Sequence, residues 1–415
     1  MREMKDSGIE WIGDIPVYWK IMPNKYLMRK EKKICPVYHG EDILSLTMKG
    51  VIVRDLDAGG KMPASFDGYQ RLEAGNLLMC LFDIDVTPRC VGLIKQAGVS
   101  SPAYSQFVLR KGADAAYYCY YYTMLDNDKT LLHLAKNLRH SLTEDQLGAI
   151  PVIVPPIEEQ QRIADFLDAK CAEIDALTAD IQTQIDTLEQ YKRSVITETV
   201  TKGLNPDAKM KDSGIQWIGN MPAHWDVIRG KYILRYMQKP VREDDGVITC
   251  FRDGEVTLRS NRREDGFTMS DKEIGYQGID VGDLVVHGMD GFAGSIGISD
   301  SRGKASPVLN VLDTDQCKRY IMYYLRSMAY SDVFLALATG IRVRSCDLRW
   351  NKLAELSYPV PPLDEQNAIV KHIDSVLSKA DAVIADKKAQ LATLDEYKKS
   401  LIFEYVTGKK EVPAP

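Results

Sequence analysis

The same peptide occurs twice in this chain, at an offset of 206 residues. Residues 4–13 return as residues 210–219 with a single substitution, and residues 155–160 match residues 361–366 at the same offset. A repeat of fixed period decides how the rest of a sequence is read, because each copy forms one structural unit. The chain is therefore two copies of one unit, and the segments that differ between the copies must carry any difference in what the copies do.

The repeated segments form a constant frame around two divergent segments, residues 20–150 (the first insert) and residues 226–356 (the second insert). The length of 415 residues suits two to four domains, and 45% hydrophobic and 27% charged residues are ordinary globular values. The first insert has 17 Lys/Arg against 14 Asp/Glu, and the second has 19 against 19, whereas residues 157–200 have 4 against 10. A polyanion would therefore bind the inserts, although neither is strongly basic.

The sequence argues against a zinc site, a disulfide framework and a membrane segment. The eight cysteines include no Cys-x-x-Cys pair, and none of the six histidines is next to a cysteine. No apolar run approaches the length of a membrane span, and the N-terminus has no signal-peptide core. These features predict a cytoplasmic chain with reduced thiols.

In the segment of about forty residues that follows each Pro-Pro pair, apolar side chains recur at alternating spacings of three and four residues. In the two copies these are Ala164, Leu167, Cys171, Ile174, Ile181, Ile185, Leu188 and Val195, and Val370, Ile373, Leu377, Ala380, Ile384, Leu391, Leu394 and Leu401. The pattern contains no Gly or Pro and predicts coiled-coil helices, each about 60 Å long at ~1.5 Å per residue. We expect an antiparallel pair related by a pseudo-twofold axis, with the inserts at opposite ends. Two amphipathic helices on separate cores are the alternative.

Each insert mixes strand-like and helical segments. Residues 75–83 and residues 282–290 predict a turn followed by a buried strand, and helical segments are expected near 117–136 and 318–338. The expected fold class is α+β, with two mixed α/β domains joined by two long antiparallel coiled-coil helices in a pseudo-twofold internal repeat.

Three motifs occur twice in the same order: Asp-Ser-Gly-Ile-Glu/Gln-Trp-Ile-Gly, the strand Gly-Asn/Asp-Leu-Leu/Val, and Pro-Pro-Ile/Leu-Glu/Asp-Glu-Gln. This arrangement resembles the specificity (S) subunits of type I restriction–modification systems, and the resemblance covers essentially the whole chain. It implies target recognition domains at 1–156 and 204–362, spacer helices at 157–203 and 363–409, and a tail at 410–415.

In this family each target recognition domain reads one half of a gapped DNA sequence, and two methyltransferase (M) subunits bind the S subunit. The resemblance therefore implies double-stranded DNA and two M subunits as partners, with restriction (R) subunits as a further option and no membrane. It implies no cofactor on this chain, with S-adenosylmethionine, ATP and Mg²⁺ expected on partner subunits.

The motifs that catalysis would require are missing from the sequence. A DNA methyltransferase needs Asn/Asp-Pro-Pro-aromatic, but Val154 and Val360 precede the Pro-Pro pairs, and Ile157 and Leu363 follow them. No phosphate-binding Gly-x4-Gly-Lys-Ser/Thr loop occurs either. We therefore predict a non-catalytic subunit, with base flipping and cleavage assigned to partners.

Cationic residues in predicted loops of the inserts are the candidate DNA contacts, because arginine's planar guanidinium matches guanine edges and phosphate oxygens. In the first insert they are Arg54, Lys61, Arg71, Arg139 and His140. In the second insert they are Arg259, Arg262, Arg263, Arg302, Lys304, Arg342 and Arg344. A solvated loop or a surface salt-bridge network is the alternative for each group, since Glu255, Glu264 and Asp265 flank the arginines at 259–263.

The aromatic residues have two interpretations. The frame residues Trp11, Trp19, Trp217 and Trp225 either anchor each insert to a helix end or form a repeated partner-binding surface. The tyrosines at 117–122 are predicted to pack in the core rather than to stack on bases. At heptad core positions, Lys192 and Lys398 either specify register or extend to solvent.

The leading hypothesis is a sequence-specific DNA-binding subunit that reads a bipartite, gapped target and directs methyltransferase and restriction subunits to it. The alternative is a pseudo-symmetric protein-binding scaffold without direct DNA readout. An enzyme with an unrecognised active site is a third class.

Overall fold

The computed structural model describes residues 2–57, 63–135, 140–262, 273–337 and 348–413. The chain divides into two units, each containing one insert. Unit 1 comprises Met1–Ile181 with Ala389–Pro415, and unit 2 comprises Gln182–Lys388. Each unit therefore combines the beginning of one long helix with the end of the other.

Unit 1 contains short strands that pair antiparallel. They are β1 (Met4–Asp6), β2 (Asp14–Pro16), β3 (Lys20–Pro23), β4 (Met28–Glu31), β5 (Leu44–Thr47), β6 (Gly50–Val53), β7 (Gln70–Leu72), β8 (Leu77–Met79), β9 (Val91–Leu93), β10 (Gly98–Ser100), β11 (Ser105–Leu109) and β12 (Pro151–Val154). A four-stranded sheet has the order β4-β11-β8-β9, and the pairs are β1-β2, β3-β12, β5-β6 and β7-β10.

Unit 2 repeats this topology with its own strands. They are β13 (Met210–Asp212), β14 (Asn220–Pro222), β15 (Asp226–Arg229), β16 (Leu234–Met237), β17 (Ile248–Cys250), β18 (Val256–Leu258), β19 (Gln277–Ile279), β20 (Leu284–His287), β21 (Ile296–Ile298), β22 (Gly303–Ala305), β23 (Leu309–Thr314) and β24 (Ser357–Val360). The four-stranded sheet has the order β16-β23-β20-β21, and the pairs are β13-β14, β15-β24, β17-β18 and β19-β22. The two inserts therefore share one fold.

The predicted turn-then-strand segments are confirmed. Gly75 and Gly282 adopt positive φ values of 88° and 86°, which a residue without Cβ tolerates best. The strands that follow them, β8 and β20, are almost entirely buried and lie in the middle of their sheets. Consecutive side chains of each strand are buried on both faces of the sheet, so a continuous apolar run suits these strands better than alternation of apolar and polar residues.

The helices are α1 (Ala115–Asn127), α2 (Thr130–Leu134), α3 (Glu144–Ala149), α4 (Ile157–Lys202), α5 (Gly230–Ile233), α6 (Lys318–Tyr330), α7 (Val333–Ala336), α8 (Trp350–Glu355) and α9 (Leu363–Val406). Single-turn 3-10 helices span Asn24–Tyr26, Arg259–Asn261 and Gly291–Ala293. The helical segments expected at 117–136 and 318–338 are each divided in two. Lys129 and Asp332 have φ values of 54° and 55°, and this left-handed conformation ends α1 and α6 before α2 and α7 begin.

The two long helices, α4 and α9, run antiparallel within each unit. In unit 1 the rings of Phe166 and Tyr405 lie 4.4 Å apart, and Lys398 Nζ lies 2.6 Å from Asp175 Oδ1. In unit 2 Lys192 Nζ lies 2.6 Å from Asp381 Oδ1. Buried side chains follow the predicted seam, among them Leu167, Cys171, Ile174, Ile181, Ile185, Ile373, Ala380 and Ile384. A regular supercoil along the whole helix pair stays a prediction.

Each unit has its own large hydrophobic core, where the sheet, the insert helix and the long-helix segments meet. The tyrosines of α1 and α6 lie inside these cores. Tyr117, Tyr118, Tyr121, Tyr122, Tyr320 and Tyr324 are at most 1% exposed. The prediction that the tyrosine run packs in the core is confirmed, and burial raises the pKa of Tyr117 and Tyr320 well above the usual value.

Candidate nucleic-acid interface

Hydrogen bonds from insert tyrosines attach each insert to the two long helices. In unit 1 the Tyr117 hydroxyl donates to the Val406 carbonyl at 2.8 Å, and the Tyr120 hydroxyl donates to Asp168 at 2.6 Å. In unit 2 the Tyr323 hydroxyl donates to Asp374, also at 2.6 Å. Because Asp168 and Asp374 stand 206 residues apart, the repeat preserves this attachment. These bonds fix the position of each insert on the long helices of its unit, and precise recognition requires such a fixed position.

Two of the four frame tryptophans are buried in the cores of their units. Trp19 is 1% exposed and Trp225 is fully buried, so both are anchors. Trp19 Nε1 donates to Glu159 at 2.9 Å, and Glu159 also pairs with Arg2 at 2.6 Å. Both rings fill the junction between the frame and a helix end and belong to the two cores, which favours the anchor interpretation. A partner-binding role for Trp19 and Trp225 stays a prediction.

The other two tryptophans are partly exposed. Trp11 and Trp217 pack at the edges of the cores of their units. Trp217 Nε1 donates to the Tyr324 hydroxyl at 3.1 Å. A partner-binding role for these two residues stays a prediction.

In the first insert, the structure describes Arg54, Arg71 and His140, whereas Lys61 and Arg139 lie outside the described residues. Arg54 and Arg71 are brought to the same region. The Arg54 amide donates to the Ile43 carbonyl at 2.7 Å, and Ile43 bridges to Val99, the strand partner of Arg71. His140 is elsewhere, with its Nδ1 3.1 Å from Asp85.

In the second insert, Arg259 occupies the position equivalent to Arg54. Its amide donates to the Val247 carbonyl at 2.8 Å, just after the hairpin β17-β18, as Arg54 follows the hairpin β5-β6. Arg262 lies beside it, stacked on the Phe251 ring with its guanidinium carbon 4.2 Å from the ring centroid. Arg262 also pairs with Asp253 and Glu255, as the salt-bridge alternative anticipated. Arg263, Arg342 and Arg344 lie outside the described residues.

Arg302 is held in a carboxylate network rather than presented to solvent. Its guanidinium donates to Asp245 and Asp280, at 2.7 Å and 2.6 Å, and to the Pro240 carbonyl at 3.0 Å. Lys239 binds the same Asp280 and the buried Asp283. The hydrogen bonds from Lys239 and Arg302 lower the pKa of Asp280 to about 2. These bonds use most of the hydrogen-bond donors of Arg302, which favours a structural role over a contact with DNA phosphate.

Lys304 lies on β22 and pairs with Glu273 at 2.8 Å. Its amide donates to the Gly246 carbonyl, next to the Val247 carbonyl that binds Arg259. The structure therefore brings Lys304, Arg259 and Arg262 to one side of the second insert.

The candidate set missed the tips of the two hairpins, which carry exposed cations. Lys49 lies in the turn of β5-β6, and Arg252 lies in the turn of β17-β18, 65% exposed and 3.0 Å from Asp290. In the sequence, each hairpin is marked by a short run of residues with high β-propensity on each side of a polar turn. In unit 1, the first hairpin borders an open groove of about 840 Å³. Its lining includes the cations Lys49, Arg89, Lys95, Lys398 and Lys399 and the acids Asp168, Asp175 and Asp395.

Within the described ranges, no group of three or more His, Cys, Asp or Glu side chains is arranged to hold a metal ion. The seven cysteines in these ranges are free thiols. No described helix is long and apolar enough to cross a membrane.

Two copies of one α+β unit, with divergent cation-bearing inserts on a constant frame, define a class of two-module recognition proteins. Residues 91–187 match the family model described as "Type I restriction modification DNA specificity domain". A solved chain, from work on complex assembly and conformational transition of the type I R-M system, has a TM-score of 0.67 at 13% identity. That match covers 95% of this chain and 99% of the solved one, which establishes a shared fold.

Two specificity subunits of type I restriction enzymes from Methanocaldococcus jannaschii are similar in sequence. The MjaX subunit is 25% identical over 286 residues, 66% of this chain and 62% of the relative. The MjaVIII subunit is 24% identical over 280 residues, 63% of each chain. The match thus spans less than two thirds of either relative. The family model and these relatives, which are named as specificity subunits, confirm the resemblance to specificity subunits of type I restriction–modification systems that was drawn from the sequence.

Proposed function

We propose that this chain is a sequence-specific DNA-binding subunit that reads a bipartite, gapped target and directs methyltransferase subunits to it. The observation that carries the proposal is the identical strand order of the two inserts, combined with different residues at equivalent positions. One scaffold with two different surfaces suits the reading of two different half-sites. The named relatives are specificity subunits, which supports the same function.

Direct readout is assigned to the cations that follow the first hairpin of each insert. Arg54 and Arg259 are the leading candidates because they occupy equivalent positions after β6 and β18. Arginine donates to the N7 and O6 acceptors of guanine in the major groove, and a bidentate contact discriminates by about 1–3 kcal/mol. Arg71, Arg262 and Lys304 lie nearby, and the candidates outside the described residues (Lys61, Arg139, Arg263, Arg342 and Arg344) complete the set.

Methylation and cleavage are assigned to partners. Two M subunits would bind the duplicated frame, with S-adenosylmethionine, ATP and Mg²⁺ on partner subunits and R subunits in a restriction complex. The repetition of the frame supports two equivalent docking sites, since one partner type needs the same residues twice. The scaffold alternative, without DNA readout, is not favoured by the relatives named as specificity subunits.

Exchange of one insert tests the function directly. The second insert of a relative with another target should be placed between residues 225 and 357 of this chain and expressed with the M subunit. Methylation mapping of cellular DNA should then show one changed half-site and one unchanged half-site. A change in both halves would rule out independent reading, and an unchanged target would favour the scaffold.

A further inference from the structure

One exposed pair of residues is the same in both units although the inserts around it diverge. Tyr26 and Tyr232 stand 206 residues apart and are 59% and 75% exposed. Each follows a lysine whose Nζ lies near its ring, Lys25 at 5.2 Å and Lys231 at 5.4 Å from the centroid. Because these side chains lie largely in solvent, packing within the unit does not explain why both copies retain them.

The backbone beneath each pair is fixed by buried contacts. In unit 1 the buried Asn24 side chain donates to the Leu147 carbonyl at 3.1 Å and accepts from the Tyr122 hydroxyl at 2.6 Å. In unit 2 the turn begins at Gly230, where a Cβ would clash with the Leu353 carbonyl oxygen. Each turn packs on the short helix of its own unit, α3 or α8, and presents its Lys–Tyr pair outward.

The sequence around each pair is cationic, in a protein whose net charge is −5. Residues 20–33 contain six Lys/Arg and one Glu, and residues 226–239 contain four Lys/Arg and one Asp. The units differ in how far this charge is compensated. In unit 2, Arg235 pairs with Asp313 and Asp315, both at 2.8 Å, and Lys239 pairs with Asp280 and Asp283. The Glu355 carboxylate lies 3.2 Å from Lys231 and 2.6 Å from Arg229, whereas the equivalent position in unit 1 is Ala149. This local acid partly offsets the charge of Lys231.

We propose that Lys25–Tyr26 and Lys231–Tyr232 are two sequence-independent contacts to phosphate groups of duplex DNA. The inference rests on the proposed function. The phosphodiester backbone is chemically the same at both half-sites, so contacts to it can use the same residues in both units. An ammonium and a phenolic hydroxyl both donate to phosphate oxygens. The exposed ammonium and hydroxyl donors of both pairs, and the excess of cations around Lys25, favour a polyanion over an apolar protein surface.

The test uses the full chain with its M subunit and duplexes with and without the target. Lys25→Gln with Lys231→Gln should reduce the magnitude of the slope of log affinity against log salt by up to about 1.8, since each full phosphate contact that is lost removes about 0.9. Target and non-target duplexes should weaken alike. Lys25→Arg with Lys231→Arg, which keeps both charges, should retain the parent's slope. Lys25→Gln alone should have a larger effect than Lys231→Gln alone, because Glu355 accompanies only Lys231.

The hydroxyls are tested by Tyr26→Phe with Tyr232→Phe, which should weaken both duplexes roughly tenfold with an unchanged salt slope. In one outcome the parent discriminates its target while the glutamine and phenylalanine variants bind both duplexes as tightly as the parent does. That result would overturn the phosphate contacts and leave the proposed function intact. Loss of the M subunit with unchanged DNA affinity would also overturn them, because the pair would then be a protein-docking surface. If the parent does not discriminate its target, the proposed function fails, and this inference fails with it.

Discussion

Lys192 Nζ lies 2.6 Å from Asp381 Oδ1 in unit 2, and the residues 206 positions away form the same contact in unit 1. There Lys398 Nζ lies 2.6 Å from Asp175 Oδ1. Lys192 and Lys398 occupy core positions of the heptad, where an apolar residue would stabilise the helix pair more. A charged residue at such a position can select one alignment of two helices, because any slip removes its partner. The contacts favour the register interpretation over simple extension to solvent.

We predict that Lys192 and Asp381 are energetically coupled. Lys192→Asp should destabilise unit 2, since it places two carboxylates together, and adding Asp381→Lys should recover part of the loss. Lys192 is 18% exposed and Asp381 is 57% exposed, so the coupling should be modest, about 0.5–1 kcal/mol. Thermal unfolding of the single and double variants gives this energy. The exposed pair Lys202–Glu198 is the control and should couple less; equal couplings would remove the register argument.

Hydroxyl groups that attach the insert helices to the long helices should contribute measurably to stability. Tyr117→Phe removes the donor to the Val406 carbonyl, and Tyr320→Phe removes the donor to the Val200 and Pro359 carbonyls. Each leaves a buried acceptor unsatisfied and should cost about 1–2 kcal/mol in urea unfolding. The exposed Tyr26→Phe should leave the midpoint unchanged. A midpoint equal to that of the parent for Tyr117→Phe would show that the hydroxyl is dispensable.

Local patterns predicted the elements of this fold better than its junctions. The heptads predicted α4 and α9, and Gly75 and Gly282 marked the starts of buried strands, because each signal is contained in a few neighbouring residues. The sequence does not reveal the left-handed conformation of Lys129 and Asp332, because a positive φ is uncommon for any residue with a Cβ, and even aspartate adopts it only rarely.

The candidate site was only partly predictable for a related reason. Arg302 is a cation in a polar loop, and the sequence of such a loop is the same whether the cation contacts a phosphate or forms an ion pair within the protein. Its partners Asp245 and Asp280 are 57 and 22 residues away and meet it only when β19, β22 and the loop after β16 assemble. The equivalence of Arg54 and Arg259 likewise depends on backbone hydrogen bonds, which sequence alignment of two divergent inserts does not give.

The network around Arg302 should make unit 2 sensitive to acid. Asp280 has its pKa lowered to about 2 by hydrogen bonds from Lys239 and Arg302, below an unfolded value of about 3.9. A depressed carboxyl pKa contributes stability above the unfolded value, and this contribution is lost as the pH falls through the folded value. The window is therefore about pH 4 to pH 2.

Arg302→Gln should destabilise the protein at pH 7, by about 2–3 kcal/mol, because it leaves the buried Asp245 carboxylate without its guanidinium. The stability difference between variant and parent should shrink as the pH falls from 4 to 2, since protonation of Asp280 and Asp245 removes what the arginine stabilised. Urea unfolding at a series of pH values measures this difference. Arg252→Gln, which removes a far more exposed cation, is the matched control. A difference that does not change with pH would contradict the linkage.

The equivalent positions of Arg54 and Arg259 give the most specific prediction about DNA. If each arginine reads a base of its own half-site, Arg54→Ala should relax discrimination at one position of the first half-site and leave the second unchanged. Arg259→Ala should do the reverse. Each loss should be about 1–3 kcal/mol at the affected position, with an unchanged M subunit stoichiometry because the frame is intact. Competition binding against duplexes with every single-base change measures both effects in the same assay.

Uniform weakening across all sequences, with a lower salt slope, would instead assign these arginines to phosphates. Relaxation in both half-sites from one substitution would show that the inserts do not read independently, and the two-module account of recognition would have to be abandoned.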